Sequence, residues 1–216
     1  MKPDRRDEAG GDNTVDVTDL ILHDIQTGLL APGSWLKQID LEKRYGCARP
    51  EIRRALDRLT QKRIVEHVPN RGYHVFEPDG DQARQVSEVR LLLELGVAGR
   101  IIDNASAADI TALNSLADQF DRLIMSGTTI ELYEANLAFH HRLLSLCGNA
   151  ELVKVVTEIR QRTSSAPVSQ WTTRARIQQS SLEHYDMVRC LEMRDMDRLK
   201  ALITQHIMQS GPDASA

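Results

Sequence analysis

From Val15 onward the chain places apolar residues three and four positions apart, the period of a helix with one buried side. Val17, Leu20, Ile21, Ile25 and Leu29 form the first such stripe. Gly28 and the segment "APGSWL" end it, because Pro32-Gly33 breaks a helix and favours a turn. The same pattern predicts a short helix over Gln38–Tyr45, stopped by Gly46, and another from Arg49 to Gln61. Stepping about 100° per residue along this third helix gathers Ile52, Ala55, Leu56 and Leu59 into one core-facing stripe and leaves Arg53, Arg54 and Arg58 off it. The period then changes. "RIVEHV" and "YHVFE" are rich in β-branched and aromatic residues and flank the turn "PNRG", which predicts a hairpin. Three helices followed by a hairpin make a winged helix-turn-helix over residues 15–77, a DNA-binding arrangement.

Pro78-Asp79-Gly80 reads as a linker, 78–80. Beyond it the strand pattern does not return. Amphipathic or apolar segments at 81–103, 107–126, 129–147, 150–166, 173–193 and 195–210 predict six helices. They are set apart by the caps Ser106, Thr128, Asn149 and Asp195 or by Gly127, Gly148 and Pro167. The expected fold is mainly α: an N-terminal winged helix-turn-helix and a C-terminal all-α bundle over 81–210. The polar segments 1–14 and 211–216 have little to bury and are expected to be disordered tails.

Composition adds limits. With 216 residues, 41% apolar and 27% charged, the chain is an ordinary globular one with room for two units. No run approaches the ~20 apolar residues of a membrane span, and the N-terminus lacks the apolar core of a secretory signal, so a cytoplasmic location without membrane contact is expected. Cys47, Cys147 and Cys190 are odd in number and unrelated in spacing, which points to reduced thiols.

Charge changes the picture more. The net charge is −4, yet Lys37, Lys43, Arg44, Arg49, Arg53, Arg54, Arg58, Lys62 and Arg63 face only Asp40, Glu42, Glu51 and Asp57 between positions 37 and 63. Positive charge concentrated in this way fits a surface that meets phosphates. For the arginines alone, a solvated face with ion pairs at helical spacing is the equal alternative. Arg71-Gly72 at the hairpin tip shifts the balance toward DNA. Arginine bonds guanine O6 and N7 bidentately in the major groove, and a glycine tip lets the wing backbone approach closely.

The runs "IQTGLLAPGSWL", "LEKRYGCARPEIRRALDRL" and "IVEHVPNRGYHV" resemble the winged-helix domain of the GntR family of bacterial transcription regulators. The resemblance implies DNA contacts at Arg49 and Arg53, with Lys43, Arg54, Arg71 and Gly72 completing the set. Three positions depart from the family pattern: Ala48 replaces a hydroxyl residue, Pro50 a threonine and Arg54 a glutamate. Pro50 suits a first helical turn, where its missing N–H has no partner anyway.

Residues 81–210 resemble the effector (FCD) domain of the FadR branch of that family, in its six-helix, VanR-like form. "SEVRLLLELGVAG", "NLAFHHRLLSLCGNAEL" and "SLEHYDMVRCLEMRDMDRLKALITQHI" carry the likeness. Many members hold a divalent metal, and the matching positions here are Asn136, His140, His184 and His206. Spacing by four puts Asn136 and His140 on one face. Imidazole suits zinc or nickel. The family's usual aspartate is Asn136 here, and a neutral amide leaves the ion its full charge, which favours an anionic effector such as a small carboxylate. His141, His23, His67 and His74 are read as structural. Arg90 either faces the effector cavity, as the resemblance implies, or pairs with Glu94 four residues on.

The implied function is a ligand-responsive repressor that binds a short operator palindrome as a homodimer. Two alternatives stand beside it: a metal-dependent hydrolase and a DNA binder with no effector. The hydrolase lacks an evident general base, since Glu183 adjoins His184 but is expected to face elsewhere on the helix. No enzymatic role and no catalytic residue is expected.

Overall fold

The computed structural model describes residues 16–163 and 174–208. The tails expected at 1–14 and 211–216, and Pro167, lie outside the described residues.

Helix α1 (Val17–Gln26) starts where the Asp16 carboxylate accepts the Thr18 backbone N–H at 2.9 Å. Ile21 and Ile25 are fully buried, but Leu29, expected on the same stripe, is 60% exposed because the helix has already ended at Gln26. The segment "APGSWL" is more than a turn: it contains a short strand, β1 (Trp35–Leu36). Helix α2 (Gln38–Tyr45) ends on Gly46 at φ 66°, a left-handed cap that glycine adopts without strain. Helix α3 (Arg49–Gln61) follows after a short connection. Ala48 has no side-chain oxygen to cap it, so the Glu51 carboxylate accepting the Ala48 N–H at 2.9 Å is the half of a capping box that remains. Strands β2 (Val65–Val68) and β3 (Gly72–Val75) form the wing, with Asn70 at φ 64° and Gly72 at φ 104° making the reversal.

The sheet order is β1-β3-β2, all antiparallel, with Trp35 opposite His74 and Leu36 opposite Tyr73. Two residues give too weak an alternation to register as a strand; tertiary pairing with β3 creates β1. Ile21, Ile25, Leu36, Ile52, Leu56, Leu59 and Val75 form one buried cluster between the helices and the sheet. This is a winged helix-turn-helix.

The second half is helical throughout its described length. Asp79 caps α4 (Gly80–Gly96) by accepting the Gln82 N–H at 2.8 Å. The single helix expected over 81–103 is two, because Val97, following Gly96, leaves helical geometry at φ −110°, ψ 1°; α5 (Ala98–Asn104) then resumes. Then come α6 (Ala107–Ser126), α7 (Thr129–Ser145), α8 (Ala150–Thr163), α9 (Arg174–Met193) and α10 (Met196–Met208). The half therefore shows seven helical segments among the described residues, not six. Ser106, Thr128, Asn149 and Asp195 all accept backbone N–H bonds in the first turn that follows them.

Helix α9 packs against α6 and α10, α10 against α4, and α4 against α8. Leu113, Ala117, Phe139, Met187, Leu191, Leu199 and Ile203 are at the centre of their buried cluster. All three cysteines are free thiols. No helix among the described residues is long and apolar enough to cross a membrane.

Candidate functional site

Two groups of polar side chains stand apart from the packing. The first lies on α3 and the wing. The stripe Ile52, Ala55, Leu56 and Leu59 is buried, so Arg49, Arg53 and Arg54 are exposed, as are Lys43 on α2 and Arg71 before β3. Gly72 is half-buried at the wing tip. Arg49 keeps 70% of its side chain in solvent while Nε donates to Gln38 Oε1 at 3.0 Å. Arg71 lies with its guanidinium carbon 4.7 Å from the centre of the Trp35 ring, a stacking contact that restrains the wing arginine without neutralising it.

Arg53 lies beside the Tyr73 hydroxyl, which donates to Asp57 at 2.6 Å. Burial pushes that phenol up, with Asp57 adding to the shift and Arg53 opposing it. Arg58 belongs elsewhere: its Nη1 donates to Asp16 Oδ2 at 2.6 Å, tying α3 to the start of α1.

The second group is inside the helical half. His140 on α7, His184 on α9 and His206 on α10 are buried, and their ligating nitrogens lie within 4.8 Å of one another. His140 Nε2 is 3.2 Å from His184 Nε2 and 2.9 Å from His206 Nε2. Nitrogens about 2.0–2.1 Å from a tetrahedral zinc ion stand roughly 3.3 Å apart, so both separations are close to those of a shared ion. Asn136 is half-buried, one turn before His140 on α7.

Electrostatics keep these rings neutral. Burial holds His140 well below the ordinary histidine value, helped by Arg160, His206, His184 and Arg90. Burial does the same for His184, with His206 and Arg160 adding to it. His206 is also lowered, again mainly by burial, although Glu183 pulls it the other way. Glu183 is itself held below its ordinary value: burial opposes this, but the hydrogen bond from His206, with Arg176 and Gln179 adding to it, outweighs it. An ionised carboxylate only accepts, so His206 Nδ1 carries the proton in its 2.6 Å bond to Glu183 Oε2, and Nε2 keeps its lone pair. A single proton on His140 Nε2 then has two close nitrogen neighbours, whereas one cation would satisfy all three lone pairs. The donor set fits a divalent transition metal.

Arg90 forms the ion pair with Glu94 that was one of its two sequence readings. Its Nε donates to Glu94 Oε1 at 3.1 Å, yet the pair is buried, not on the surface. Arg160 on α8 reaches the same oxygen at 3.4 Å. Burial pushes Arg90 down to about 10, with Arg160 acting the same way and Glu94 against. One carboxylate thus faces two guanidiniums whose charge is felt at His140.

Sequence reasoning missed Arg160 and the burial of Glu94. It turned Glu183 away from His184, as the structure does, but gave it no role, whereas it is 1% exposed and bonded to His206. The signal for Arg160 was absent, because its partner is 66 residues away. For Glu183 the spacing from Gln179, four residues before it on α9, marked a shared face but not what lies opposite.

The two halves meet in a cleft of about 660 Å³. Arg63, His67 and Phe76 line it from the winged half, Val86 and Val89 from α4, and Ile159 from α8.

The model of the FCD domain matches residues 85–209, and that of bacterial regulatory proteins of the gntR family matches residues 13–75. The Nta operon transcriptional regulator of Aminobacter aminovorans is 26% identical over 180 residues, 82% of this chain and 83% of the relative. The HTH-type transcriptional repressor RspR of Escherichia coli is 21% identical over 88% of this chain and 83% of its own. Among solved structures, E. coli McbR/YncC superposes with a TM-score of 0.77 at 18% identity, over 89% of this chain and 92% of that one. A putative transcriptional regulator from Rhodococcus sp. RHA1 gives 0.76 at 16% identity, over 89% of this chain and 92% of that one.

Proposed function

The chain belongs to the gntR family of bacterial regulatory proteins, in the group that carries an FCD domain, and from that premise we propose that it is a metal-dependent sensor of a small carboxylic acid that represses an operator. The family and its relatives are transcription regulators and not enzymes, which removes the hydrolase alternative.

In this reading two copies form a homodimer in the bacterial cytoplasm and place their α3 helices in successive major grooves of a short palindrome. Arg49, Arg53 and Arg54 meet base edges or phosphates, Lys43 meets the backbone, and Arg71 with Gly72 brings the wing to the flanking groove. His140, His184 and His206, with Asn136 one turn before His140, hold zinc or nickel. When bound, such an ion supplies a positive centre that draws a carboxylate.

Arg90 and Arg160 complement that attraction. Both already hold Glu94, and a second carboxylate arriving beside them competes for the same guanidiniums. The contact bears on DNA because α4 and α8 serve both places: α4 carries Arg90 and Glu94 to the site and Val86 and Val89 to the cleft, while α8 carries Arg160 and Ile159. An acid that prefers one arrangement of these helices shifts the winged half against the bundle, as linkage requires.

The observation that supports this most directly is the convergence of three buried, neutral imidazoles near the buried Arg90 and the half-buried Arg160. Calorimetry with zinc and nickel, alone and with a panel of small carboxylates, tests it. The expected result is binding at micromolar concentration or tighter that is lost in His140→Ala, with one acid changing operator affinity by about 5- to 150-fold. No bound metal with or without carboxylates would end the reading.

A further inference from the structure

Glu183 follows the logic of a helix rather than of the sequence. Adjacent helical side chains diverge by about 100°, so Glu183 and its neighbour His184 leave α9 in different directions. Glu183 meets α10 instead, where Oε2 accepts His206 Nδ1–H at 2.6 Å. Gln179 Nε2 and Gln205 Nε2 each approach its other oxygen at 3.4 Å, and Arg176 Nη2 is 3.5 Å from Oε2. The residue is 1% exposed. Its longer contacts fix its position, while its one short bond goes to a ring of the triad.

A carboxylate that accepts from the outer nitrogen of a ligating imidazole sets the tautomer and makes the ring a stronger donor to the ion. In the metal reading the other candidate ligands are neutral: two imidazoles and the amide of Asn136, one turn before His140. Glu94 is no substitute, since Arg90 and Arg160 already outweigh its charge. His184 has no such support either, as its Nδ1 is buried without a hydrogen-bond partner among the described residues.

We propose that Glu183 is the positioning residue of the metal centre and delivers through His206 the negative charge that Asn136 does not provide. The proposal rests on the metal reading above.

The test compares full-length wild type, Glu183→Gln, Asn136→Asp and the double variant, each stripped of metal and titrated with zinc against a chelator. Glutamine keeps the shape and an accepting oxygen but not the charge. Glu183→Gln is expected to lose about 10- to 100-fold in zinc affinity, the usual cost of removing an outer partner. Asn136→Asp alone tightens binding, and in the double variant it restores most of the loss. Cobalt(II) in place of zinc gives a second readout, because its visible bands respond to donor strength at the ligating rings and are expected to shift between wild type and Glu183→Gln. Glu183→Asp, which keeps the charge, covers the case in which the glutamine variant fails to fold: it is expected to bind zinc more tightly than His206→Ala by at least about tenfold.

Wild-type zinc affinity with an unchanged cobalt spectrum in Glu183→Gln overturns the proposal and leaves the metal reading intact. A loss that Asn136→Asp cannot restore also overturns it, reducing Glu183 to a packing role. Zinc bound by neither wild type nor Asn136→Asp removes the metal reading, and the proposal with it.

Discussion

Arg49→Ala separates a DNA contact from a surface ion pair. The side chain is 70% exposed, and its guanidinium Nε lies 3.0 Å from Gln38 and 3.8 Å from Glu42. A pair this exposed contributes little, and surface substitutions of this kind move stability by no more than about 0.5 kcal/mol. The effect on DNA is of another order. If Arg49 reads a guanine edge, each head loses about 1–3 kcal/mol, so two heads together lose about 30- to 20,000-fold and discriminate less at one position per half-site. If it meets a phosphate instead, the slope of log K against log salt falls by about 0.9 per head, or about 1.8 per dimer, with no change in selectivity.

Fluorescence anisotropy of an operator duplex selected from random sequence, titrated from about 50 to 200 mM salt, reads both quantities. Arg58→Ala is the internal control. Arg58 is equally cationic, but it is committed to Asp16 at 2.6 Å, so its loss weakens the start of α1 and leaves the salt slope alone. An Arg49→Ala variant with wild-type affinity, selectivity and salt slope would refute the placement of α3 against DNA.

The packing and the ion pairs lead to three further outcomes. Leu56, fully buried at the centre of the winged cluster, is expected to cost about 2–5 kcal/mol when changed to alanine, read by urea denaturation together with loss of operator binding. Glu94→Gln leaves the buried Arg90 and the half-buried Arg160 facing a neutral amide; a loss of about 3–5 kcal/mol in unfolding free energy by urea titration is expected, and adding Arg90→Met should recover part of it. Acid should destabilise the fold in a defined direction. Burial works to raise Glu94, but Arg160 and Arg90 outweigh it and hold it below its ordinary value, while Ser106 lowers Asp109 and Thr128 lowers Glu131. As pH falls, the unfolded chain takes up protons at these carboxyls before the native one does. Their contribution is therefore full above about pH 5 and is lost progressively below it, which thermal melts between about pH 6 and 3 would record. A midpoint flat across that range would count against these pairings.

Periodicity carried the fold a long way because most of its elements are decided locally. The Ile52, Leu56 and Leu59 stripe needs only helical geometry to point inward, and Gly46 stops α2 by a conformation that glycine adopts without a neighbour's help. What the pattern could not show depends on a partner elsewhere. Strand β1 exists because Trp35 and Leu36 meet His74 and Tyr73. Leu29 keeps the period of α1 yet lies past its end, since periodicity marks a face and not a terminus.

The polar site divides along the same line, and the division has a physical cause. His140, His184 and His206 were identifiable through the family's motifs, and each then needed only its own helix to aim it inward. The charged residues around them look, in sequence, like ordinary solvated pairs: Arg90 and Glu94 at a spacing of four would read the same on any exposed helix. Arg160, 66 residues from Glu94, is the third member of that buried group. A buried carboxylate with a single cation carries no surplus charge, whereas Glu94 with two leaves one unit positive near three neutral imidazoles, in a place where water screens it little. In the proposed function, that surplus is what draws a small carboxylate to the site. It arises only when α4 and α8 are brought together, so no stretch of sequence taken alone contains it.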